Sequence, residues 1–282
     1  MAANWCAGCR RVGYRFARSR AARPKPQHCQ GCPASSLPLA IWRPETLEAA
    51  LRGIDRAVLI SSAAPDMVDV QSSFIRAAAR AGVKHVVKLS GIMPELTSPF
   101  RFARMHGEVE QRLEKSGLAF THLRAGEFMT AYFRQVPSIL AKGAIFLPMA
   151  DAPIASIDVG DIAEVAIITL TSPGHEGKIY PITGPEALTM GEVAERLSAA
   201  TGRTIRYVNV APEDAKRAQL AAGVPPYMAD ALAELFAERR NGAESKVWPV
   251  LQDVFGLRLT SFAEFATRNA SVFRGEEPPP KI

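Results

Sequence analysis

Two cysteine pairs, Cys6-Ala-Gly-Cys9 and Cys29-Gln-Gly-Cys32, stand 19 residues apart. Four thiolates at that spacing can close a tetrahedron about one zinc ion. The stretch between them, Arg10 to Pro26, has no strand alternation from which to build a zinc ribbon. Its composition, rich in Arg, Ala and Pro with no acid, is also what a GC-rich gene yields when read out of frame. Three readings of residues 1–42 follow: a zinc module, an out-of-frame or otherwise replaced segment, and a disordered basic tail. The replaced segment is the expectation, poorly packed and without a bound metal.

A second set of groups lies at the ends of apolar runs. Ser61 and Ser62 close Ala57-Val58-Leu59-Ile60, and Ser90 closes the run from Val83 through His85-Val86-Val87. Open parallel sheets place ligands at the carboxyl ends of their strands, so hydroxyls there are candidate contacts. His85, His122 and His175 show no metal-ligand spacing among themselves. Glu108 and Glu110 read as helix-surface partners of Arg104 or Arg112. Asp158 and Asp161 read as caps of the helix that follows them and as ties between loops.

The elements that must position these groups follow from periodicity. Short continuous apolar runs predict buried parallel strands at 57–62, 83–90 and 118–123. Helices are predicted between them at 66–80 and 102–116, closed by Gly82 and Gly117. Strand and helix alternating at this pitch imply βαβ units, a parallel sheet and helices on both faces. Beyond them come short strands at 144–147, 178–183 and 204–210 and an apolar helix at 162–170. Thr189 with Glu192 three residues on is a capping box. Residues 212–273 read as mostly helical, and the Pro- and Glu-rich 276–282 as a flexible tail.

Charge divides the chain sharply. The first 40 residues hold seven Lys or Arg, no acid and all four cysteines. The remaining 242 carry 27 basic and 28 acidic side chains. The formal net charge of +6 therefore belongs to the leader, and the body has no basic surplus for nucleic acid. No apolar run approaches the roughly 18 residues a membrane span needs, and no secretory h-region is present. The Arg-rich, acid-free start loosely resembles an organelle transit peptide, but its prolines and glycines break an amphipathic helix. A body without cysteine suits the cytoplasm.

Several ordered stretches together resemble the NmrA-like family of atypical short-chain dehydrogenases. They are Leu47-Glu-Ala-Ala-Leu-Arg-Gly-Ile-Asp55, Ala81-Gly-Val-Lys-His-Val-Val-Lys-Leu-Ser90, His106-Gly-Glu-Val-Glu110, Ser116-Gly-Leu-Ala-Phe-Thr-His-Leu-Arg124, Ile157-Asp-Val-Gly-Asp-Ile-Ala163 and Tyr180-Pro-Ile-Thr-Gly-Pro-Glu186. The resemblance implies a Rossmann-like fold over residues 43–275, with a small, mostly helical substrate lobe from about 185. It implies NADP(H) or NAD(H) as cofactor and a small-molecule substrate. It also implies two missing features: the first strands, and the Gly-rich turn whose backbone N–H groups cradle the pyrophosphate. Residues 1–42 contain no G-x-x-G-x-x-G.

The resemblance also assigns roles. Classical members of the wider superfamily carry Tyr-x-x-x-Lys where this chain has Phe102 and His106, so tyrosine-based proton transfer is excluded and His106 falls to the cofactor side. Ser90 matches the superfamily's serine position. Ser61 and Ser62 would run beside the adenosine half, and Gly126, Glu127 and Phe128 would surround the nicotinamide. No residue is assigned as catalytic. The function implied is an NAD(P)H-dependent reductase of small electron-poor acceptors such as quinones or azo compounds. The alternatives are a non-catalytic NAD(P) redox sensor and a product with a spoiled cofactor site.

Overall fold

A computed structural model describes residues 44–280. The readings made of residues 1–42, zinc and packing included, lie outside the described residues. In chain order come α1 (Pro44–Leu51), β1 (Arg56–Leu59), α2 (Met67–Ala81), β2 (His85–Gly91), α3 (Arg101–Glu114) and β3 (Ala119–Ala125). A 3-10 turn at Met129–Gln135 leads to α4 (Val136–Lys142), β4 (Ala144–Leu147), α5 (Val159–Thr171) and β5 (Lys178–Ile182). The chain ends in α6 (Met190–Thr201), β6 (Arg206–Asn209), α7 (Pro212–Ala221), α8 (Pro226–Arg240), α9 (Val250–Asp253), α10 (Phe262–Arg268) and α11 (Ala270–Arg274).

β1, β2, β3 and β5 form one parallel sheet in that order, and β4 pairs with β6 in a second. Parallel strands buried on both faces need apolar residues at every position, which is why β2 reads Val86-Val87 at its centre. Val86 packs with Leu47, Phe74, Ile75, Val109 and Leu113 of α1, α2 and α3 on one face. Val87 packs with Ile162, Val165, Ala166 and Leu170 of α5 on the other. A third core joins the 3-10 turn, α4 and β4 to α6, α10 and α11, so part of the second lobe comes from well ahead of residue 185.

Boundaries follow the predicted signals closely. α2 stops at Gly82, which takes the left-handed conformation (φ 75°) that a helix C-terminus favours. The Thr189–Glu192 capping box is formed at the start of α6. β1 is shorter than expected: it ends at Leu59, leaves Ile60 43% exposed, and puts Ser61 and Ser62 beyond the strand. Gly184, just past β5, is required by close approach, because a Cβ there would lie 2.0 Å from the Ser156 carbonyl oxygen. Among the described residues no helix is long and apolar enough to cross a membrane.

α3 is anchored from the second lobe. Its first backbone N–H, that of Arg101, donates to Glu234 Oε2 of α8 at 2.9 Å, and the Arg101 guanidinium grips the same carboxylate at 2.6 Å. A carboxylate at a helix N-terminus satisfies an orphan donor and complements the helix dipole. This clamp fixes the start of the helix that carries His106.

Candidate cofactor site

The parallel strands end along one edge. Leu59 lies opposite Lys88 and Ser90 opposite Arg124, while Ala125 pairs with both Gly91 and Ile182. Ser61, Ser90, Gly91 and Gly126 therefore share the carboxyl edge, where the topology places ligands. Gln71 of α2 donates to Ser61 Oγ at 2.8 Å, fixing the turn after β1. Gly126 N donates to Ile182 O at 3.0 Å, tying the turn after β3 to β5.

The core of the site is a buried polar layer between the sheet and α3. Alternation along β2 and β3 sends Lys88, Ser90, His122 and Arg124 to the face that α3 covers. α3 answers with His106, Glu110 and Glu114, four residues apart and so on one helical stripe. Lys88 is fully buried; its Nζ donates to Ser90 Oγ (3.1 Å) and, more weakly, Leu89 O (3.4 Å), and lies 3.0 Å from His106 Nδ1. Burial lowers the Lys88 ammonium to about 7, against the attraction of Glu110. Burial, and then the Lys88 charge, hold His106 well below the ordinary histidine value.

His106 is half-buried, and its Cδ2–Nε2 edge faces Gly91 at the end of β2. A Cβ at Gly91 would meet Cδ2 at 3.0 Å, so the glycine makes room for the ring. Nε2 has no hydrogen-bond partner among the described residues, while Nδ1 is held by Lys88. Phe102, one turn earlier, is buried edge-on against Phe100 and Tyr227, a packing position with no proton to give.

Glu110 corrects the sequence reading. It is not a surface partner of Arg104 or Arg112 but is buried, paired with Arg124 of β3 at 2.6 Å. Glu108 does form the expected surface pair with Arg112. Glu110, Glu114 and His122 bring ligand-type atoms within 4.8 Å of one another. Protein groups already engage its members: Arg124 pairs with Glu110 and His122 Nε2 lies 3.1 Å from Glu114 Oε1, while His122 Nδ1 is buried without a partner among the described residues.

The turn after β3 divides its roles. The Glu127 carboxylate is engaged by Arg239 of α8, which also donates to Glu244 at 2.9 Å. Phe128 is half-buried and packs against the core beneath α5. Ser62 is exposed beyond β1. Asp158 caps α5 by accepting from Gly160 N at 2.8 Å, while Asp161 accepts from Thr260 N and Oγ1 and so ties down the loop before α10.

Sequence reasoning missed Lys88, Glu110, His122 and Arg124. The signal for them was present. Polar residues two apart in apolar strands, Lys88-x-Ser90 and His122-x-Arg124, face a helix stripe of His106, Glu110 and Glu114.

The chain is similar to several known proteins. An NAD(P)H azoreductase of Xenophilus azovorans is 40% identical over 230 residues, covering 82% of this chain and 80% of its own. The solved NADPH-dependent quinone oxidoreductase of Escherichia coli, in complex with NADPH, superposes with a TM-score of 0.74 at 30% identity, over 80% of each chain. The NADP(H) complex of Citrobacter sp. triphenylmethane reductase gives 0.72 at 26% identity, over 81% of this chain and 80% of its own. The model of the NmrA-like family matches residues 35–266. The chain belongs to the NmrA-like family.

Proposed function

We propose that this chain is an NAD(P)H-dependent reductase that passes hydride to a small electron-poor acceptor, a quinone or an azo compound. The observation that carries the reading is its 40% identity to an NAD(P)H azoreductase across most of both chains. Kinship with a quinone oxidoreductase solved with NADPH supports the same acceptor class.

The described residues fit the ribose and nicotinamide half of the cofactor. His106 offers an unpaired nitrogen at the carboxyl edge, and the Ser90 hydroxyl and the Gly126 backbone lie on that edge. We assign His106, Ser90 and the turn Gly126, Glu127 and Phe128 to that half, and Ser61 and Ser62 to the adenosine side. None of the described helices opens on a glycine-rich turn, so the pyrophosphate half has no such receptor among them. NAD(P)H supplies the hydride.

The chain's own groups orient the cofactor and close the sheet edge around it. With Phe102 where relatives of the wider superfamily use tyrosine, that position offers no phenol to donate a proton. An electron-poor acceptor tolerates this, because the anion left by hydride addition is stabilised and water can protonate it.

Absorbance-monitored NADPH oxidation against a panel of quinones and azo dyes tests the reading. Turnover with at least one acceptor is expected. NADPH binding with no turnover on the whole panel would favour a redox sensor instead.

A further inference from the structure

We propose that Lys88 is a positioning residue for this site: sealed beneath α3, it donates to His106 Nδ1 and fixes the imidazole with its proton on Nε2, facing the carboxyl edge at Gly91. The inference rests on the reductase reading only for what Nε2–H then contacts, a ribose hydroxyl of the bound cofactor. The tautomer itself is a property of the protein alone.

Three observations carry it. Lys88 is fully buried, yet no carboxylate hydrogen-bonds it; the polar atoms within hydrogen-bond reach of its Nζ are Leu89 O, Ser90 Oγ and His106 Nδ1. An ammonium has three N–H donors and no acceptor, so these three acceptors complete it. His106 Nδ1, receiving one of those donors, must present a lone pair, and in a neutral imidazole the proton then sits on Nε2. Finally, the Cδ2–Nε2 edge is the one turned to Gly91, where a glycine leaves the space.

The order of proton affinities agrees. Lys88 lies at about 7 and His106 well below its ordinary value, so near pH 6 the shared proton resides on the lysine. The groups acting on Lys88 are Glu110 of α3, which favours its charge, and Arg124 of β3, which opposes it. His122 of β3 in turn feels the Lys88 charge.

The test is long-range proton–nitrogen correlation of the imidazoles in the full nitrogen-labelled chain at pH 6, with His106→Gln identifying the resonances. In the wild type His106 is expected to be neutral, protonated on Nε2 alone. In Lys88→Met it should become a tautomer mixture, and its titration should move up toward the ordinary histidine value. Lys88→Gln, whose amide can still donate to Nδ1, should restore the Nε2–H form. Protonation on Nδ1 in the wild type overturns the proposal, and so does a His106 tautomer unaltered in both variants. The wild-type spectrum decides even if Lys88→Met fails to fold. NADPH affinity should fall roughly tenfold in Lys88→Met, the worth of one hydrogen bond, and recover in Lys88→Gln. Absent NADPH binding with the expected tautomers would sink the reductase reading and leave this inference standing; turnover with the wrong tautomer does the reverse.

Discussion

Lys88 sits where a parallel strand wants an apolar side chain, and the protein bears the consequence in its stability. Its amine holds a proton only up to about pH 7 in the folded chain, against about 10.4 in an unfolded one. Between those values the unfolded state binds more protons, so stability from this group rises with pH across that window and is flat below it. The penalty below pH 7 is roughly 5 kcal/mol. Lys88→Met removes it. The stability of Lys88→Met relative to wild type should therefore be greatest near pH 6.5 and shrink by several kcal/mol toward pH 10, as read from denaturant midpoints. A difference constant across that range would show that Lys88 is not a depressed amine. At this scale the sequence was only half legible. Ser90 and His106 were found because they end a strand or match a family position. Lys88 and Glu110 were missed because charge inside a strand or on a helix normally points to water, and only the facing stripes show that these do not.

Between elements, the second lobe is held to the sheet by two charged clamps from α8. One is Glu234 on the start of α3; the other is Arg239, 6% exposed, between Glu127 and Glu244. Removing the cation from a buried pair leaves uncompensated carboxylates and costs about 3–5 kcal/mol. Arg239→Met should thus lower the melting temperature by roughly 10 °C in a chain of this size. Glu127→Gln separates the two roles open to Glu127. If the carboxylate serves the clamp alone, the variant loses stability with NADPH affinity unchanged; if it serves the cofactor, affinity falls as well. The βαβ elements were legible except for the end of β1, since their strands are continuous apolar runs and α2 stops at Gly82, and the Thr189 capping box marked the start of α6. The clamps were not, because Arg101 and Glu234, or Glu127 and Arg239, are more than 100 residues apart and nothing local pairs them.

For the whole molecule the governing question is where the cofactor's charge would go. The pyrophosphate carries most of it, and its usual receptor is a ring of backbone N–H donors at a glycine-rich turn and helix start. The glycines in residues 1–42 stand at 8, 13 and 31, without the spacing of such a turn. On the proposed assignment, His106, Ser90 and Gly126 would serve the nicotinamide half and not the pyrophosphate. The chain is therefore expected to bind NADPH more weakly than micromolar, although it belongs to a family with a nicotinamide-dependent azoreductase among its members. A chain in which a glycine-rich β-α-β segment stands in front of Arg43 should bind at least tenfold more tightly, about 1.4 kcal/mol. Titration calorimetry on both chains decides it. Micromolar or tighter binding by the chain as it stands would mean that other residues supply the missing donors.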